Sequence, residues 1–159
     1  MNVTSWPVRF FLMMLLLVCI MVLAKYILFK NYGWNYHEYL QKHISFNNYK
    51  KGLQAANLEP FKTIKLMQSR NVAIAYRIEN VGGNIVGFLP LGVLFPMLFT
   101  GMRKVWKTVM VIFFISLAFE LVQLFTSLGV FDVDDLILNT AGGVLGYVFY
   151  KTGCFLFGR

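Results

Sequence analysis

Four long apolar runs constrain this chain more than any other feature. They extend from about Val8 to Phe29, Asn84 to Thr100, Val105 to Leu128 and Leu136 to Phe157; Arg9 and Lys25 interrupt the first near its two ends. Each run is roughly 17–24 residues long, enough for a helix to cross a hydrocarbon core of about 30 Å. In lipid every backbone polar group must be satisfied internally, so only helices and closed barrels span a bilayer. The apolar residues are continuous rather than alternating, which selects helices. The expected fold is an all-α membrane protein with four transmembrane helices and a long, partly helical loop between helices 1 and 2. Composition agrees: 58% of the 159 residues are hydrophobic and 14% charged, where a soluble domain carries about 25% charged residues. Soluble globular, collagen-like, disordered and disulfide-scaffold classes are excluded.

This pattern divides the chain into a first transmembrane helix (1–30), an extracytoplasmic loop (31–83) and a three-helix core (84–157). An alternative for the first run is a cleaved signal peptide, with Arg9 as its basic end and Val22-Leu23-Ala24 as the cleavage site. Retention is favoured, because three further runs follow and Lys25 can reach the interface. Within the loop, Glu59-Pro60 opens a short interfacial helix near 60–70, with proline in its first turn. Phe61, Ile64 and Leu66 or Met67 recur at helical spacing, with Lys62, Lys65 and Arg70 on the other face; the alternative is a partly ordered, solvated loop.

The formal net charge is +8. No basic stripe interleaves with aromatics on a polar helix, so nucleic acid is not the expected partner; anionic lipid head groups or wall polymers are. Cys19 and Cys154 have no metal-ligand spacing and make no disulfide framework. With four spans, six Lys/Arg lie on the side of the termini and eight between Lys30 and Gly83. The compact Arg103-Lys104-Lys107 cluster joins two spans directly, whereas many of the loop charges lie far from span ends. That cluster favours cytoplasmic termini.

Polar residues inside a span are costly and are functional candidates by default. Four groups qualify. Asn84 precedes Gly87, Pro90 and Gly92, and the structural alternative is a packing kink at Pro90. Glu120 and Gln123 share a helix face; a carboxylate about 12 Å inside a span must be paired, wet or protonated, or else the two residues only glue helices together. Asp132, Asp134 and Asp135 lead into the fourth run. Asp134 or Asp135 would cap that helix, and three carboxylates so close imply a cation, an Arg/Lys partner or exposure to water. Asn139 stands one turn after Asp135, ahead of Gly142, Gly143 and Gly146, a small-residue packing seam. Span directions place Asn84, Pro90, Glu120, Gln123, Asp132, Asp134, Asp135 and Asn139 on one side of the bilayer, as a candidate polar vestibule. Arg70 and Arg77 are its nearest cationic candidates.

The run Asn84…Phe88-Leu89-Pro90-Leu91-Gly92, then Ser116…Glu120…Gln123, then Phe131-Asp132-Val133-Asp134-Asp135…Asn139…Gly142-Gly143…Gly146-Tyr147 resembles the VanZ-like family. Pro60-Phe61-Lys62-Thr63-Ile64 is similar to that family's segment before the second span. The resemblance covers about residues 58 to 150. Many members carry an arginine just before the Phe-Asp-x-Asp-Asp motif, where this chain has Leu128-Gly129-Val130, so Arg70 or Arg77 would have to supply that charge. The resemblance implies a multi-pass protein of the bacterial cell membrane, and the family's namesake is associated with low-level teicoplanin resistance in Gram-positive bacteria. The implied partners are a membrane or wall-precursor lipid, or a lipophilic glycopeptide, with a homo-oligomer as a further option. Neither a metal site nor a resident cofactor is expected. Two other readings stay open: an intramembrane enzyme or a small transporter acting on a lipid-linked phosphate through Glu120, Asp132 and Asp135, with Mg²⁺ under the enzyme reading alone. A structural membrane partner is the plainest alternative.

Overall fold

In the computed structural model, residues 5–28, 49–68, 78–126 and 128–156 are described. Among them the structure is helical: α1 (Trp6–Leu28), α2 (Tyr49–Ala55), α3 (Lys62–Gln68), α4 (Gly83–Leu98), α5 (Val105–Thr126) and α6 (Val133–Leu156). A π-helical turn (Ile78–Gly82) leads into α4, and a 3₁₀ turn (Thr100–Met102) joins α4 to α5. Arg70 and Arg77 lie outside the described residues.

The bundle is apolar outside, and its interior is polar along the buried face of α5. The buried face of α5 is Thr108, Ile112, Ser116, Glu120, Gln123 and Thr126. Its exposed side chains include Val105, Trp106, Phe114, Leu121 and Phe125. The hydrophobic effect in water would reverse that distribution. It is stable where the solvent is hydrocarbon and the interior holds the hydrogen-bonding groups. Where the interior is apolar, α1 supplies Leu16, Leu23 and Ile27 against Phe88, Leu91 and Phe95 of α4 and Ile112 of α5.

Three helices are long and apolar enough to cross a membrane: Trp6–Leu28, Asn80–Leu98 and Val105–Thr126. The sequence reading expected four. Helix α6 has 24 residues, about 36 Å of rise, so length does not limit it. Its apolar content does: Asp134, Asp135, Asn139 and Thr140 occupy its first two turns, Gly142, Gly143 and Gly146 follow, and Lys151 lies near its end. Asp134, Asn139 and these three glycines are buried within the bundle.

The glycines set how α6 meets α4. A Cβ on Gly142 would strike the carbonyl oxygen of Ile85, and one on Gly146 the carbonyl oxygen of Leu89. A Cβ on Gly92 would meet the Gly143 carbonyl from the other side. Two backbones therefore touch with no side chain between them, the geometry that small residues at four-residue spacing permit. Proline 90 removes the N–H that would have bonded one turn back. At the far end of the bundle, the Tyr147 hydroxyl donates to the Arg103 carbonyl at 2.5 Å and the Thr108 hydroxyl to the Met102 carbonyl at 2.6 Å. Both bonds fix the α4–α5 turn.

The seam predicts an asymmetry among glycines. Gly146→Leu should lower the apparent melting temperature of the detergent-solubilised protein sharply, because the obstacle is backbone and overpacking costs about 3 kcal/mol. Gly153→Leu should leave it near wild type, since a Cβ there meets nothing within 4 Å. Thermal-shift chromatography of the two variants checks this.

Candidate functional site

The short link between α5 and α6 is where the chain's distant parts meet. Asn57 lies alongside it as an isolated parallel bridge to Asp132. Its N–H donates to the Phe131 carbonyl at 2.8 Å, and its carbonyl accepts from the Val133 N–H at 3.1 Å. The Asn57 side-chain amide donates to Asp132 Oδ1 at 2.8 Å and to Thr63 Oγ1 at 3.1 Å, while the Thr63 hydroxyl donates to Asp132 Oδ2 at 2.6 Å. The Asp134 N–H also donates to Asp132 Oδ1, at 2.9 Å. Asp132 is thereby the N-cap of α6, its side chain bonding the second helical amide. The cap is Asp132, not Asp134 or Asp135 as the sequence reading had it.

Asp134 is fully buried and turns to a different helix. Its two carboxylate oxygens accept from the backbone N–H groups of Phe61 and Ile64, the latter at 3.0 Å. It caps α3 from 70 residues away. Phe61 adopts a left-handed backbone, φ 65°, which costs an L residue about 1–2 kcal/mol. Charge-assisted bonds to the two amides offset that cost. Local sequence prepares this turn: the Glu59 N–H donates to Asn57 Oδ1 at 3.3 Å, an Asx turn, just ahead of Pro60.

The remaining polar residues extend inward. Glu120, fully buried, accepts the Asp132 N–H at Oε2, 2.9 Å. Asp135 accepts from the Asn84 side-chain amide at 2.6 Å, tying α6 to α4. Gln123 donates to the Ile27 carbonyl of α1 at 3.0 Å, and Asn139 to Ser116 Oγ at 2.8 Å. The buried Gln123 Oε1 and Asn139 Oδ1 have no hydrogen-bond partner among the described residues. Buried acceptors are nearly always paired, so these two stand out as acceptors with no use among the described residues.

Of the eight candidates, Glu120, Asp132, Asp134, Asp135 and Asn84 thus gather at one end of the bundle. Gln123 and Asn139 make separate links beside them. Pro90 lies half-buried in α4 and brings no polar side-chain atom to the cluster. The candidate set lacks Asn57 and Thr63, whose side chains satisfy Asp132, and the two amides that satisfy Asp134. An Asn-x-Glu-Pro turn signature was their available signal. The donors to Asp132 and Asp134 are amides and a hydroxyl, not the Arg/Lys partner or cation that three adjacent carboxylates suggested. Among the described residues no three His, Cys, Asp or Glu side chains are grouped to hold a metal ion.

An apolar exterior, hydrogen-bonded polar groups buried between long apolar helices and a carboxylate-held segment at one end define a helical membrane protein. The VanZ/LLP1 family profile matches residues 10–157, and the chain belongs to that family. Protein VanZ of Enterococcus faecium is 36% identical over 67 residues. That match covers 42% of this chain and 41% of the relative, so it spans about two fifths of each. No solved structure matches.

A double-mutant cycle tests the grip on the loop. Thr63→Val and Asp132→Asn should show a coupling of about 1 kcal/mol or more in reversible unfolding, as partners of one charge-assisted bond do. Thr152→Val, whose hydroxyl bonds the Val148 carbonyl on an exposed face, should show no coupling to Asp132→Asn.

Proposed function

We propose that this chain is a four-span protein of the bacterial cell membrane that confers low-level teicoplanin resistance by acting on the envelope at the outer leaflet. Family membership, with the 67-residue match to protein VanZ, carries the reading. Both termini are cytoplasmic in this proposal. In its support, the Arg103-Lys104-Lys107 turn lies at the opposite end of the bundle from the carboxylate cluster, and positive charge marks the cytoplasmic side. The cluster and α3 then face outward, within reach of a wall-precursor lipid or a lipophilic glycopeptide. The role is non-enzymatic. Asp132 and Asp134 spend their carboxylate oxygens on the loop, which disfavours an acid/base pair or a phosphate-linked metal drawn from them.

Expression in a teicoplanin-susceptible Gram-positive host, beside Glu120→Ala and Asp135→Ala at matched membrane levels, tests the proposal. The expected result is a small rise in the inhibitory concentration of teicoplanin, none for vancomycin, and loss of the rise in both variants. No change with the intact, well-expressed protein overturns it.

A further inference from the structure

Helix α3 presents an outward face that the carboxylate grip does not use. Thr63, Ile64 and Met67 turn toward the protein and are partly buried, whereas Lys62, Lys65 and Leu66 are exposed. These last three fall within about 100° of one another on the helix, since residues three and four apart share a face. The sequence reading had put Ile64 and Met67 opposite Lys62 and Lys65, and the structure agrees; Phe61 and Leu66 depart from it by standing exposed beside the lysines. An open groove runs along this face, lined by Glu59, Pro60, Lys62, Lys65 and Leu66. Glu59 pairs with Lys62 at 3.4 Å, but both side chains are more than half exposed, so the pair holds Lys62 weakly.

Large apolar side chains flank the lysines. Leu58 is 63% exposed, Phe61 52% and Leu66 56%. Phe61 is the described non-glycine residue with a positive φ; its amide points at Asp134 while its ring stands half exposed. A strained residue kept with an aromatic side chain turned outward is an observation that asks for a function. The fold also fixes the level of this face. Asp134 clamps α3 to the first turn of α6, at the end of the bundle where α5 stops, so α3 sits at the depth where membrane helices meet the head groups. Alternating ammonium groups and apolar anchors at that depth fit a molecule whose phosphate lies beside its own acyl chains.

We infer that the outward face of α3 is a binding site for an anionic phospholipid, with Lys62 and Lys65 holding the headgroup phosphate and Phe61 and Leu66 lying along the upper acyl chain. The inference rests on the membrane placement proposed above and not on the resistance phenotype.

The test uses the full chain in vesicles of phosphatidylcholine and phosphatidylglycerol. A headgroup-tethered photoreactive analogue of each lipid is added in turn, and adducts are mapped by mass spectrometry. Phosphatidylglycerol adducts on the 58–66 segment should exceed phosphatidylcholine adducts several-fold, relative to the same ratio around Lys104. The Lys62→Gln/Lys65→Gln double variant, altered only at exposed side chains, should bring the two ratios together. Equal ratios in the wild type, or an enrichment that survives the double substitution, overturn the inference. So does a polyprenyl diphosphate that displaces most of the phosphatidylglycerol adduct at equal mole fraction, since the site would then belong to a different lipid. Because nothing in the assay depends on teicoplanin, a failed resistance experiment and a failed lipid experiment remain distinct.

Discussion

Two carboxylates hold the rest of this structure in place. Asp132, the N-cap of α6, and Asp134, in its first turn, accept hydrogen bonds from Asn57, Thr63, Phe61 and Ile64, some seventy residues away. A helix N-terminus favours negative charge, so the acidic run costs less there than elsewhere in the bundle. The neutral donors do what a lysine or arginine would otherwise do, and they add direction: each backbone amide fixes a segment as well as a charge. The described segment from Asn57 to Ile64 therefore becomes part of the bundle rather than a tether outside it.

The same logic organises the interior. Ser116, Glu120 and Gln123 on α5 meet Asn139, Asp132 and the end of α1 through single hydrogen bonds, while α4 and α6 meet through bare backbone at Gly92, Gly142 and Gly146. Between helices in lipid, close van der Waals contact and interhelical hydrogen bonds supply what apolar burial supplies in water. This chain uses both on α6, whose buried face carries Asp134, Asn139 and three glycines. Gln123 Oε1 and Asn139 Oδ1, without a partner among the described residues, lie next to this framework.

The helices were legible because hydropathy is a local property. The apolar runs starting near Val8, Asn84, Val105 and Leu136 contain the bodies of α1, α4, α5 and α6, and the ends shift by a few residues where polar groups belong to a helix. Helix α6 begins at Val133 and not Leu136, since Asp134 and Asp135 are helical once Asp132 caps them. The cluster was legible as a matter of depth: Asn84, Glu120 and the three aspartates could be assigned to one side from span direction alone. Their partners were not. A hydrogen bond between Asn57 and Asp132 leaves no periodic trace across 75 positions, and Thr63 and the Phe61 amide look like ordinary loop groups until the loop is folded back. On α3 the spacing put Ile64 and Met67 opposite Lys62 and Lys65, as the structure has them, while Phe61 and Leu66 stand exposed beside the lysines. The carboxylate of Asp134 that holds this short helix left no such local trace.

The central claim is that Asp134 caps α3 across the fold. Hydrogen exchange of the Phe61 and Ile64 amides in the membrane-embedded protein tests it most directly. The account predicts strong protection of both in the wild type, lost in Asp134→Ala while the amides of the α5 interior stay protected. Fast exchange at Phe61 and Ile64 in the wild type, or protection that survives Asp134→Ala, would contradict it.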